Sequence, residues 1–206
     1  EREDEVPATK SALYPLSDDE RFELERFLQL LEPYVEEDPK RRLVERLLLE
    51  GTPNTKPWRE EGCIIFSQYY DSVYWLGERL SKRLPEEPIG LYAGSTRSGL
   101  FRAGVFTRLP REEIKSQVRR DELRLVLGTD AASEGLNLQR LGTLINLDLP
   151  WNPTRLEQRK GRIQRIGQVR EEVFVYNMRY RGSVEDEVHK KLASRLQSIS
   201  DLFGQI

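Results

Sequence analysis

Cysteine occurs once, at Cys63, and histidine once, at His189. A single thiol closes no disulfide within the chain and builds no cysteine-rich zinc site. A single imidazole leaves no histidine triad and no multi-histidine metal site. So little cysteine fits a reducing, cytoplasmic setting. No apolar run approaches the ~18 residues of a membrane span, so no membrane partner is expected. Glu1-Arg2-Glu3-Asp4-Glu5 has neither the basic nor the apolar region of a signal peptide. Overall basic charge is missing too: 33 Lys and Arg stand against 35 Asp and Glu, a net charge of -2. Dedicated DNA-binding domains are usually basic overall, so any nucleic-acid contact here has to be a local stripe. Hydrophobic residues make up 37% of the 206, enough to bury a core and too many for a disordered chain.

Along the chain, Ser17-Asp18-Asp19-Glu20 has capping-box spacing and opens a helix through Phe22, Phe27, Leu28 and Leu31 that ends near Pro33. A second helix, from about Pro39, carries Leu43, Leu47 and Leu48 and stops at Gly51; Thr52–Pro57 reads as a linker. Residues 1–57 are therefore expected to form an N-terminal helical hairpin and linker, and residues 58–206 the main domain. From Cys63 onward short apolar runs alternate with helical stretches. Strands are expected at Cys63–Phe66, Ile89–Ala93, Leu123–Leu127, Thr143–Leu147 and Glu172–Tyr180. Helices are expected over Val73–Leu84, over Pro110–Arg120, from Asn152-Pro153 to about Ile166, and from Ser183 through Val188, Leu192, Leu196 and Ile199. Gly94–Gly104 is glycine-rich and reads as irregular. This alternation predicts an α/β fold, a parallel sheet with helices on both faces. Right-handed crossovers then put functional loops at the carboxyl ends of the strands.

Three segments sit at those ends. Ser67-Gln68-Tyr69 follows the first strand, and Gly128–Asn137 follows the third. Gln158-Arg159-Lys160-Gly161-Arg162-Ile163-Gln164-Arg165-Ile166-Gly167-Gln168 lies on the helix after the fourth. On that helix Gln158, Arg162 and Arg165 fall at i, i+4 and i+7 and share a face. Arginine at such spacing suits phosphate, because the planar fork donates two parallel hydrogen bonds and keeps its charge. The competing reading is a solvated basic face pairing with Glu157 and Glu171. In the Gly128–Asn137 segment, Thr129 beside Gly128 could offer a hydroxyl and an N–H to a phosphate, or the segment is an ordinary strand-to-helix turn. Trp151 is either a core residue beneath a turn or a stacking surface.

Gln158-x-x-Gly161-Arg162-x-x-Arg165-x-Gly167-Gln168 resembles motif VI of superfamily 2 helicases, and its Gly-Gln ending resembles the Swi/Snf-type branch. The Thr129 segment resembles motif V and the Ser67 segment motif IV. Tyr92-Ala93-Gly94-Ser95-Thr96 resembles the family's phosphate-contacting Gly-Ser loop, and Asp148–Pro153 its Trp-Asn-Pro box. Ser133-Glu134-Gly135-Leu136-Asn137 is most similar to the bacterial RNA-polymerase-associated remodelling ATPases and related bacterial Swi/Snf-like proteins. The resemblance covers about residues 60–190 and implies a C-terminal, second RecA-like lobe. It implies arginine fingers at Arg162 and Arg165 that stabilise charge on the transferring phosphoryl group. It places Gln158, Gly135 and Asn137 near the nucleotide. Ser67, Gln68, Gly94, Ser95, Thr96, Thr129 and Trp151 would lie along the nucleic acid. Residues Arg97–Arg108 depart from the family pattern, in which the chain runs straight into the next helix.

No Gly-x-x-x-x-Gly-Lys-Ser/Thr loop and no Asp-Glu box appear. By resemblance these belong to the first RecA-like lobe, which is therefore an expected partner and the expected holder of Mg2+ for ATP. The expected activity is that of the C-terminal lobe of an ATP-dependent translocase on nucleic acid, with double-stranded DNA as the expected substrate. This chain alone is expected to be inactive. The alternative is a noncatalytic RecA-like module that binds nucleic acid or another protein.

Overall fold

The computed structural model describes residues 15–35, 37–53, 56–94, 96–130, 136 and 138–203. The chain divides into two compact units, residues 1–38 and 39–206. In the first, α1 (Asp18–Val35) opens on the expected capping box. The Glu20 N–H donates to Ser17 Oγ at 3.2 Å, and the Ser17 N–H donates back to Glu20 Oε2 at 2.9 Å. The helix runs through Pro33 instead of stopping there.

The second unit begins with α2 (Pro39–Glu50) and α3 (Trp58–Glu61), followed by β1 (Cys63–Phe66), α4 (Tyr70–Arg83), β2 (Ile89–Tyr92), β3 (Gly99–Arg102) and β4 (Val105–Arg108). Then come α5 (Arg111–Arg119), β5 (Leu125–Gly128), β6 (Thr143–Asn146), α6 (Pro153–Ile163), β7 (Phe174–Asn177) and α7 (Val184–Phe203). The sequence reading assigned α2 to an extension ending at residue 57. The compact unit that holds α2 starts at Pro39. The reason is packing: Val44, Leu47 and Leu48 lie at i, i+3 and i+4 and join one apolar cluster with Cys63, Ile65 and Leu91. Lys40 adds a tie, donating to the Leu147 carbonyl at 2.7 Å and pairing with Glu185 at 2.5 Å.

The seven strands form one sheet in the order β4-β3-β2-β5-β1-β6-β7. β2, β5, β1, β6 and β7 are parallel, in the register Tyr92–Gly128–Phe66–Asn146–Asn177 along their carboxyl ends. Alternate residues of each strand feed opposite faces. Cys63, Ile65, Leu125, Leu127 and Ile145 pack in the cluster that includes α2 and α4. Ile64, Phe66, Val126 and Leu144 pack with Ile114 and Val118 of α5 and Ile163 of α6. Burial on both faces explains why these strands read as continuous apolar runs.

β3 and β4 form an antiparallel hairpin on the β2 edge, inside the stretch that reads as irregular in sequence. Its two-residue turn is Ala103-Gly104, both at positive φ (46° and 82°). That is the backbone of a primed hairpin turn, which is usually signalled by Asn or Asp at the first position. Ala103 gives no such signal.

Candidate functional site at the carboxyl edge of the sheet

Asp148, just after β6, organises the start of α4. The buried Ser67 hydroxyl donates to Asp148 Oδ2, and the Gln68 N–H donates to Asp148 Oδ1 at 3.0 Å. The Tyr69 N–H donates to Ser67 Oγ at 3.0 Å, and Gln68 Nε2 reaches the Leu149 carbonyl at 3.3 Å. A carboxylate and a hydroxyl thus fix the β1–α4 loop ahead of α4, whose own N-cap, Tyr69, makes no side-chain cap. Ser67 is thus committed within the fold, while Gln68 stays half-exposed.

The residue that sequence reasoning missed is Arg159. It is fully buried, on the α6 face shared with Leu156 and Ile163. Its Nε donates to Asp130 Oδ1 at 2.8 Å, and its Nη2 lies 2.6 Å from the same oxygen. Its Nη1 donates to Asn146 Oδ1 at 2.9 Å and to the Asp148 carbonyl at 3.2 Å. The guanidinium lies over the Phe66 ring, 5.4 Å from its centroid. Asp130 Oδ2 also accepts from Arg155 Nη1 at 3.1 Å. One side chain therefore joins the ends of β1, β5 and β6 to α6. Its place three residues after Leu156 and four before Ile163 was the available signal.

The two arginines singled out from the sequence lie elsewhere. Arg162 is half-buried on α6, and Arg165 and Gln158 are exposed. The sequence predicts a helix to about Ile166 with Arg165 on the face of Gln158 and Arg162. In fact α6 ends at Ile163, and Arg165 stands in the turn beyond. The cause is Gln168. In a longer helix the Ile163 carbonyl would accept the N–H four residues on. Instead Gln168 Nε2 donates to it at 2.7 Å and reaches the Leu141 carbonyl at 3.2 Å. Gly167, at φ +88°, makes the reversal, a conformation that costs side-chain-bearing residues energy. The Gln139 side chain holds the Ile166 carbonyl. Arg162 Nε is buried without a hydrogen-bond partner. Among the described residues no carboxylate pairs with Arg162 or Arg165; Glu157 faces Lys160 at 3.9 Å.

Thr129 is buried, and its N–H donates to the Tyr92 carbonyl at 3.2 Å. Gly94 and Thr96 are exposed in a turn closed by the Arg97 N–H on the Gly94 carbonyl at 2.9 Å. Trp151 is 60% exposed, so it is not a core residue beneath the turn. It precedes α6, whose N-cap Asn152 accepts from the Thr154 N–H at 2.9 Å. Gly135, Asn137 and Ser95 lie outside the described residues. The edge thus brings together Gln68, Thr129, Asp148, Trp151 and the start of α6, with Arg162 and Arg165 at the far end of that helix.

A parallel sheet covered on both faces, with functional segments at the carboxyl ends of its strands, defines a RecA-like lobe. A family model for the helicase conserved C-terminal domain matches residues 40–167, more than half of the chain. The chain belongs to that family, the C-terminal lobe of superfamily 2 enzymes. It is 31% identical over 182 residues to the uncharacterized ATP-dependent helicase YqhH of Bacillus subtilis, covering 84% of this chain and 30% of that protein. It is 33% identical over 103 residues to the RNA polymerase-associated protein RapA of Vibrio campbellii, covering 49% of this chain and 10% of the relative. A Sclerotinia sclerotiorum chromatin-remodeling ATPase, INO80, is 39% identical over 75 residues, or 36% of this chain and 4% of the relative. The chain therefore spans less than a third of each of these proteins. The crystal structure of the C-terminal part of the Fun30 ATPase domain matches with a TM-score of 0.53 at 18% identity. That match covers 86% of this chain and 48% of the other, and it shows the fold. No helix among the described residues is long and apolar enough to cross a membrane.

Proposed function

We propose that this chain is the half of an ATP-driven double-stranded-DNA translocase that completes the nucleotide site and grips one phosphate backbone. The observation that carries this is the division of labour on α6. Its inner face, through Arg159, holds the carboxylate of Asp130, while Arg162 and Arg165 are left without a carboxylate partner among the described residues. Clustered guanidinium groups repel one another unless an anion lies between them. The γ-phosphate of an ATP bound against a first RecA-like lobe would be that anion. The arginines would then stabilise charge that builds as the phosphoryl group transfers.

Gln158 lies one turn from Arg162 and would face the same nucleotide, as would Gly135 and Asn137. Gln68, Gly94, Ser95, Thr96, Thr129 and Trp151 would line the nucleic acid. Ser67 would act by holding Asp148 and the start of α4. Among the described residues no group of three or more His, Cys, Asp or Glu could hold a metal ion. Magnesium would accompany ATP, held by carboxylates of the first lobe and the phosphates. Cycles of closure and opening between two lobes would move the enzyme along the backbone.

The test is kinetic, in the full-length protein. Arg165→Ala should lower kcat by about 10³-fold or more, the usual range for an arginine finger, with little change in nucleotide affinity. Arg165→Lys should not restore turnover, because an ammonium cannot reproduce the fork. A folded Arg165→Ala enzyme with near-wild-type kcat would remove the reading.

A further inference from the structure

The β3–β4 hairpin is an addition to the parallel sheet, and it carries charge to a particular place. Its two strands run antiparallel on the edge of β2, with Leu91 opposite Gly99 and Gly99 opposite Arg108. The open end of the hairpin therefore lies at the carboxyl ends of the parallel strands. Its turn, where Arg102 faces Val105, lies at the amino ends. Arg97 and Arg108 consequently flank the open end, beside the exposed Gly94 and Thr96. The Leu109 N–H on the Ser98 carbonyl, at 3.2 Å, keeps the two arms together there. We propose that Arg97 and Arg108 form a phosphate-binding site that extends the nucleic-acid track beyond Gly94 and Thr96, with the phosphodiester backbone of duplex DNA as its ligand. The choice of duplex rests on the function proposed above.

Three observations support the assignment. Arg97 and Arg108 are both exposed, and among the described residues neither has a carboxylate partner. The Arg97 guanidinium lies 5.0 Å from the centroid of the Tyr70 ring. Both arginines act on the Tyr70 hydroxyl. Burial and then Tyr74 raise it above its usual range, Arg97 and Arg108 pull it back, and Asp71 pushes it up. The register of the hairpin places both residues at its open end, on the side where Arg97 meets Tyr70 of α4.

The platform is also rigid. Phe101 and Phe106 lie 4.7 Å apart, and each lies 5.2 Å from Tyr74 of α4. Ser98 is buried, accepts the Ala93 N–H at 3.0 Å and donates to the Ala93 carbonyl at 3.2 Å. Its hydroxyl locks the turn to the end of β2. A donor pair on a fixed frame loses little freedom when it meets a phosphate.

The hairpin supplies its own control, because Arg102 has the same charge and is also exposed but sits at the opposite end. The experiment measures binding of this chain to a fluorescently labelled 20-base-pair duplex over a salt series, for wild type, R97A/R108A, R97K/R108K and R102A. Thermal melts establish that each variant is folded. Each phosphate neutralised contributes about 0.9 to the slope of log affinity against log salt. R97A/R108A should flatten that slope by about 1.8, so that its affinity falls ~10-fold less than wild type's between ~50 and ~200 mM salt. R97K/R108K should keep most of the slope, and R102A should keep all of it. Equal flattening by R102A and R97A/R108A would make the effect one of net charge and overturn the proposal. An unchanged slope in R97A/R108A, with binding still weakened by Gln68→Ala, would overturn this site and leave the proposed function standing. Wild-type chain that binds no duplex even at low salt would overturn both. So would preferential capture of an extended peptide along the exposed edge of β4.

Discussion

Replacing Arg159 by alanine removes the buried guanidinium that pairs with Asp130. The Asp130 side chain is 19% exposed and that of Arg159 is fully buried, with Nη2 2.6 Å from the carboxylate. Removing one partner of a buried pair costs about 3–5 kcal/mol, because the other charge is left without compensation. Two things pull the value toward the lower end. Asp130 keeps Arg155, whose side chain is 55% exposed and whose pairing contributes at most about 1 kcal/mol in water. Some water also reaches the carboxylate. Against this, the Asn146 side chain and the Asp148 carbonyl lose their donor, and each unmet acceptor adds to the cost. The expected loss is about 3 kcal/mol, which at ~2–4 °C per kcal/mol for a chain of this size lowers Tm by ~6–12 °C. Thermal melts followed by circular dichroism give the number, and a double-mutant cycle with Asp130→Ala gives the coupling, expected above about 1 kcal/mol. Were Arg159 one more solvated cation on a basic helix, Tm would stay within about a degree or two of wild type. A coupling near zero would refute the network as the thing that holds α6.

Gln168→Ala strips the donor from the Ile163 and Leu141 carbonyls and should cost about 1–2 kcal/mol by chemical denaturation; in the full-length protein it should also lower kcat, because Arg165 follows directly on that turn. Gly99→Ala would put a Cβ 2.4 Å from the Thr107 carbonyl oxygen and 2.5 Å from the Phe106 ring. Overpacking of that kind costs about 1–3 kcal/mol, and protease sensitivity between Gly99 and Arg108 should rise with it. Cys63 is buried and its thiol is pushed far up by that burial, so the native chain should not react with a thiol reagent that titrates it fully in guanidinium. Trp58 is buried with Tyr176 4.2 Å away, whereas Trp151 is 60% exposed. Iodide should therefore quench a variant retaining only Trp151 strongly, and one retaining only Trp58 hardly at all.

What could be read from the residues depended on how local the deciding interaction was. Cys63–Phe66, Thr143–Asn146 and the Asn152-Pro153 start of α6 declare themselves through short runs and caps, and each stands within a residue or two of its expected place. The Ser17–Glu20 box does so as well. The end of α6 did not, because the group that ends it is a side chain five residues farther on, bonded across to Leu141. The membership of α2 was hidden for a similar reason. Its Val44-Leu47-Leu48 stripe specifies that something is covered, and only the tertiary fold specifies the cluster it joins, with Trp58, Ile65 and Met178 among its members. Arg159 reads as one more arginine in a basic stretch until its spacing from Leu156 and Ile163 is counted.

The position of Arg159 bears on how the candidate site could work. A helix that presents charge to a nucleotide must not shift when that nucleotide changes its own charge. Arg162 on α6 and Arg165 in the turn after it do not anchor the helix through carboxylates among the described residues. Anchoring falls to the opposite face, and an apolar face alone would let the helix slide by small amounts at little cost. A guanidinium fork bonded to Asp130, Asn146 and the Asp148 carbonyl resists such sliding, because each bond is directional and the acceptors lie at the ends of two strands, β5 and β6. Asp148 in turn holds Ser67 and the Gln68 N–H, at the start of a segment proposed to meet the nucleic acid. A displacement of α6 along its axis would therefore strain the β1–α4 loop. The outward-facing end of α6 and the β1–α4 loop share one set of hydrogen bonds, so under the proposed function a movement between nucleotide and nucleic acid would have to pass through it.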